Sequence, residues 1–99
     1  MKTIGSLYSL FLESNRDAFA QRHFVLAYHA LSGAMHCALH LQDSAKLAEV
    51  EVSATEQLHD IQEQFSSSAP EQQEVNLYIS LVQIIKTRRF LLQIKSTSK

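Results

Sequence analysis

The sequence predicts an all-α protein, a small up-down helical bundle of three long helices and one short N-terminal helix. The 99 residues include only 2 Gly and 1 Pro, whereas strand-rich folds need turn residues at short intervals. Apolar residues make up 45% of the chain and recur at helical spacing. Short connections between long helices make neighbours antiparallel. The length corresponds to one helical domain over residues 1–99.

The N-terminal half is predicted to contain one short and one long helix. The first spans about Ile4 to Glu13 and is too short to be stable without packing. The second begins near Ser14 or Asn15, where either side chain can cap a helix, and runs to Leu41. Its apolar arc covers almost half the circumference, which places it at the centre of the bundle. At Gly33 two alternatives stay open, a break in the helix and a close contact with a neighbouring helix.

The C-terminal half is predicted to contain two long helices. The third runs from Asp43 or Ser44 to Phe65, and its narrow apolar seam places it on the outside of the bundle. The fourth begins at a capping box formed by Ser68 and Glu71. It carries one apolar stripe of Val75, Tyr78, Val82 and Ile85, and another of Leu77, Leu81, Ile84 and Leu91. Two stripes need two partners, either within the chain or in a second copy.

The Ala-rich stretch from Ala27 to Leu39 resembles the first helix of tetratricopeptide-type hairpins and the helical bundles of the HEPN group. The spaced Trp, Leu-Gly, Tyr and Pro signature of a tetratricopeptide is incomplete. The Arg and His four residues apart that an active HEPN nuclease requires are missing. Both resemblances are those of a helix seam built from small residues, and they assign no activity.

Bulk properties exclude several classes of protein. The net charge is −1, with 9 basic against 10 acidic residues, which predicts neither nucleic-acid nor membrane binding. No apolar run approaches the ~18 residues that a membrane span needs. A single cysteine, Cys37, permits no intrachain disulfide and favours a reducing compartment. We therefore expect a cytoplasmic protein.

A cluster of histidines raises the alternative of a metal- or thiol-dependent enzyme. His36 and His40 are four residues apart, which is metal-ligand spacing on a helix, and Cys37 lies beside them. The simpler interpretation is a solvated polar face and a cysteine that packs as a small hydrophobic residue. His23 projects into the apolar arc and is expected in the core or an interface. We expect no bound metal and no cofactor.

The leading hypothesis is a non-enzymatic protein–protein interaction module, a small adaptor or regulator that forms a homodimer and binds a protein partner. Acidic residues dominate between Gln42 and Glu74, and only basic ones follow, so a bipolar surface is available for docking. The expected contact residues are Leu77, Leu81, Ile84, Lys86, Arg88 and Arg89. A third hypothesis is a nucleic-acid-associated regulator that uses this basic end, although exposed stacking aromatics are scarce there.

Overall fold

The computed structural model describes residues 3–64 and 72–97, which form four α-helices and no strand. The helices are α1 (Ile4–Ala20), α2 (Phe24–His40), α3 (Ser44–Gln64) and α4 (Gln72–Thr97). The all-helical prediction is confirmed. Phe65 and the capping box proposed at Ser68 and Glu71 lie outside the described residues. Among the described helices, none combines the length and the apolar character that crossing a bilayer requires.

The first interruption of the chain falls at residues 21–23, which differs from the predicted division into a short and a long helix. Ser14 and Asn15, expected to cap the second helix, lie within α1. Consequently α1 and α2 have 17 residues each. Gly33 is an internal residue of α2, so the helix is continuous at this position and the alternative of a close contact holds.

Both three-residue connections that the structure describes have the same backbone conformation. After α1, the His23 N–H donates to the Ala18 carbonyl at 2.9 Å, and the Arg22 N–H donates to the Phe19 carbonyl at 3.0 Å. This pair of bonds defines a Schellman motif, which needs one residue in the left-handed region. Arg22 takes that role with φ 64°, and Gln42 takes it after α2 with φ 53°.

Contacts between side chains show how α1 and α2 run relative to one another. The rings of Phe19 and Phe24 lie 5.3 Å apart beside the connection. Farther from it, the Phe11 ring packs so closely on Gly33 that a Cβ atom there would lie 2.7 Å away. The end of α1 thus contacts the start of α2, and an earlier residue of α1 contacts a later residue of α2. The two helices therefore pack antiparallel.

α3 lies beside α1 and runs in the same direction. The Tyr8 hydroxyl donates to Glu49 at 2.6 Å, and the Gln57 amide donates to Asn15 at 2.7 Å. In each pair the two residues are about 40 apart in the sequence. Parallel helices produce such a constant offset. α2 contacts both α3 and α4, and α4 packs along α3. The molecule measures 48 × 33 × 15 Å, about two helix layers thick, since packed helix axes lie ~8–10 Å apart.

The core is built from one face of each helix. Of the apolar seam predicted for α3, Leu47, Val50, Ala54 and Ile61 are fully buried and Leu58 is half-buried. α2 contributes a broad face, with Phe24, Ala27, Leu31, Ala34, Met35, Cys37 and Ala38 buried. α4 contributes Tyr78, Leu81, Val82 and Ile85.

Candidate interaction surface

One buried hydrogen-bond network joins all four helices and fixes the rotation of α4. Asn15 in α1, 1% exposed, donates from Nδ2 to the Ala27 carbonyl of α2 at 2.8 Å and to Gln57 Oε1 of α3 at 3.1 Å. The Tyr78 hydroxyl of α4 donates to the same Gln57 oxygen at 2.8 Å. Burial raises the Tyr78 pKa above its usual range. The face of α4 that carries Tyr78 is therefore held inward.

The opposite side of α4 is the outer face, which we define by the residues that line a shallow groove there. These are Ser80, Gln83, Ile84, Thr87, Arg88 and Leu91. Their spacing of three and four residues places all six on one side of a single helix. Ile84 and Leu91, seven residues apart, are 44% and 51% exposed. The outer face is thus an apolar stripe in which Thr87 lies between the two large side chains and Ser80 lies one turn before Ile84.

The structure divides the six predicted contact residues into three groups. Ile84, Lys86 and Arg88 are exposed. Leu77 is half-buried, and Leu81 is 1% exposed. Arg89 is partly buried. The expectation that Leu81 contacts a partner is therefore corrected, because this side chain is part of the core.

Arg89 is held by α3. Its guanidinium Nη1 donates to Glu51 Oε1, and the two side chains are 34% and 17% exposed. In the connection between α1 and α2, Arg22 pairs similarly with Asp60 of α3 at 3.4 Å. Part of the acidic character of α3 thus serves contacts within the chain. Arg89 is consequently occupied in holding α3 to α4, whereas Arg88 points to the outer face.

The histidine and cysteine side chains do not form an evident reaction centre. His36 and His40 are exposed on α2, and Cys37 between them is buried at 8% exposure. Burial raises the pKa of the Cys37 thiol, which disfavours the thiolate that acts as nucleophile or metal ligand. Within the described residues, no group of three or more His, Cys, Asp or Glu side chains could hold a metal ion.

His23 differs from its expected position. It is exposed and precedes α2 as its N-cap residue, without a side-chain hydrogen bond to the helix. The expectation of a core or interface histidine was based on a continuous helix from residue 14 to residue 41. Because the chain turns at residues 21–23, the helical periodicity that placed His23 in the apolar arc does not apply to it.

A second groove, which the sequence interpretation missed, follows the junction of α1 and α2. It measures about 510 Å³ and is lined by Phe11, Ser14, Asp17, Ala18, Gln21, His23, Leu26, His29 and Ala30. Leu26 is 60% exposed and is the most exposed of its apolar residues. The available signal was the apolar spacing of Leu26 and Ala30, but the groove itself exists only because α1 and α2 are separate helices.

The chain matches no protein-family model, and neither a curated protein nor a solved structure is significantly similar to it. The class that the fold defines is an all-helical protein with a partly apolar outer helix face. Any functional assignment therefore depends on the chemistry of these residues.

Proposed function

We propose that this chain is a non-enzymatic interaction module, a small adaptor or regulator, and that the outer face of α4 binds a helix of a partner protein. The observation that carries the proposal is the pair of half-exposed side chains Ile84 and Leu91 on a helix whose other side is buried. The cytoplasmic setting remains part of the proposal and rests on the lone Cys37.

The spacing on the outer face suits a helical ligand. Apolar residues at seven-residue intervals form the seam by which helices pack side by side, and a helix laid on such a seam is a common mode of peptide recognition. Thr87 lies between Ile84 and Leu91, Ser80 lies one turn before Ile84, and both are small enough for a second helix to approach closely. The proposal assumes the up-down order of helices, which the pairings of Phe11 with Gly33 and of Glu51 with Arg89 support.

The two other hypotheses have less support. For an enzyme, Cys37 is buried with a raised pKa. For a nucleic-acid regulator, one of the three predicted cations, Arg89, is already paired with Glu51. An apolar stripe between the remaining charges also contributes little to the binding of phosphates, which is dominated by cation contacts.

The proposal is tested by selecting peptides from a random displayed library against the intact chain. The double variant Ile84→Lys/Leu91→Lys should bind the selected peptides with an affinity lower by about tenfold or more, as expected when central apolar contacts are replaced. Val52→Lys is the matched control, because Val52 is 56% exposed on α3, away from the outer face. Circular dichroism should show the same helix content in all variants. If no selected peptide binds the unaltered chain more tightly than the double variant, the proposed function is wrong.

Self-association is measured separately, by light scattering over a concentration series. The homodimer predicted from the sequence would appear as a doubled mass that the Ile84→Lys/Leu91→Lys variant abolishes. In that outcome the occupant of the outer face is a second copy instead of a partner helix. A mass of one chain at all concentrations agrees with the proposed function.

A further inference from the structure

We infer that the partner helix is acidic: the outer face of α4 binds an amphipathic helix whose apolar stripe is flanked by Asp or Glu. This inference rests on the proposed function and names the class of partner for the same surface. It is carried by the position of Arg88 beside the apolar stripe and by the charges of the remainder of α4.

Arg88 supplies a positive charge at one edge of the outer face. It lines the groove with Ile84 and Leu91 and is exposed. At 100° per residue, Arg88 is about 40° from Ile84 around the helix, so a helix seated on the stripe brings its flanking side chains near the guanidinium.

Negative charge from α4 itself is not available at this edge. No acidic residue follows Glu74 in the sequence. The carboxylate of Glu51 in α3 is paired with Arg89. The edge at Arg88 is therefore basic.

The same charges argue against a second copy of α4 as the occupant. Packing this face on its own copy in antiparallel orientation would bring the basic edges together, and like charges across an interface disfavour the complex. A helix with Asp or Glu beside its apolar residues satisfies both properties of the surface. Ile84 and Leu91 receive the apolar side chains, and Arg88 receives the carboxylates.

The test uses two synthetic amphipathic peptides with the same Leu stripe, one flanked by Glu and the other by Gln, and measures binding to the full chain by fluorescence anisotropy. The Glu peptide should bind more tightly, and its advantage should decrease with ionic strength. Arg88→Gln should reduce that advantage by up to about fivefold, the range of one exposed ion pair. Arg16→Gln, the same change at an exposed residue of α1, should leave it unchanged.

Three outcomes would overturn the inference. Equal binding of both peptides would reject the acidic partner and leave the proposed function standing. Failure of both peptides, together with failure of the library selection, would reject both proposals. Binding of a single-stranded oligonucleotide that depends on Arg88 but is unaffected by Ile84→Lys would indicate a nucleic-acid ligand in place of an acidic helix.

Discussion

Asn15 shows how one polar residue can define the packing of several helices. A buried amide without partners is costly, so the position of Asn15 is acceptable only where Ala27 and Gln57 lie within hydrogen-bond distance. A shift of α3 along α1 by one residue would separate Gln57 from Asn15. The network therefore selects one register among many apolar packings of similar quality, which is a recognised role of fully satisfied buried polar groups.

Replacing Asn15 by Ala should lower the free energy of unfolding by about 2–3 kcal/mol, because the Gln57 side-chain N–H would lose its acceptor and the Ala27 carbonyl would lose a donor. Chemical denaturation monitored by circular dichroism measures this change. Asn76→Ala is the control, since Asn76 makes an exposed hydrogen bond with Gln72 and should change stability by less than about 0.5 kcal/mol. Equal effects of the two substitutions would contradict the network's role.

Gly33 provides a second prediction for a single residue. Alanine normally stabilises a helix interior relative to glycine by ~1 kcal/mol, but a Cβ at Gly33 would meet the Phe11 ring at 2.7 Å. We expect Gly33→Ala to destabilise the protein by about 1 kcal/mol, as overpacking does. Gly5→Ala is the control because its nearest neighbour, Thr3, would lie 3.8 Å away, and it should be neutral or stabilising. Thermal unfolding distinguishes the two results.

Helix boundaries could be predicted only where a side chain marks them. The boundary before α3 was found because Asp43 is a good N-cap, and its carboxylate indeed accepts from the Lys46 N–H at 3.0 Å. The boundary before α2 has no such mark. His23 makes no capping bond, and the left-handed position is occupied by Arg22 instead of glycine. The chain turns there because the packing of α2 on α1 compensates for an unfavourable local conformation.

That cost makes Gln42 a target for stabilisation. A non-glycine residue in the left-handed region is strained by roughly 1 kcal/mol, so Gln42→Gly should raise the free energy of unfolding by about 0.5–1 kcal/mol. Gln21→Gly tests whether the relief of backbone strain is the cause. Gln21 has φ −88°, where glycine relieves no strain, so this substitution should be neutral or destabilising. Denaturant unfolding of both variants measures the change in the free energy of unfolding, and destabilisation by Gln42→Gly would contradict the interpretation.

The sequence predicts the apolar stripe of the candidate site but not which of its residues are exposed. Leu81 and Ile84 belong to one apolar stripe in sequence, yet the first is in the core and the second is half-exposed. Periodicity assigns both to the same side of α4, whereas burial depends on where α2 and α3 lie along the helix. The pairing of Arg89 with Glu51 is equally a consequence of tertiary packing, which the charge pattern alone does not reveal.

The whole molecule is thin and somewhat extended. Its radius of gyration is 14.1 Å, compared with ~13 Å for a compact domain of this length. In a plate about two helix layers thick, each helix has one side toward the core and another toward solvent. Half-exposed apolar residues such as Ile84 follow directly from this shape.

Alkaline pH should unfold the protein through two of its tyrosines. Burial raises the pKa of Tyr8 and of Tyr78 above the ordinary 10.0, and for Tyr8 the hydrogen bond to Glu49 adds to this. Above pH 10 the unfolded chain loses these protons first, so the free energy of unfolding falls as the pH rises. Denaturant melts should show a shallower fall in Tyr8→Phe and Tyr78→Phe, and an unchanged slope in both variants would contradict this prediction.

The order of helix contacts has a consequence for how a partner would be accommodated. α3 packs on α2 and is joined to α1 by side-chain hydrogen bonds. α4 packs on α2 and α3, so the helices add one after another in a single direction, as in quasi-one-dimensional assemblies. Terminal units of such assemblies normally end in a polar cap, whereas α4, the last of the described helices, exposes Ile84 and Leu91. A helix bound to this face would thus occupy the place of a fifth member of the stack.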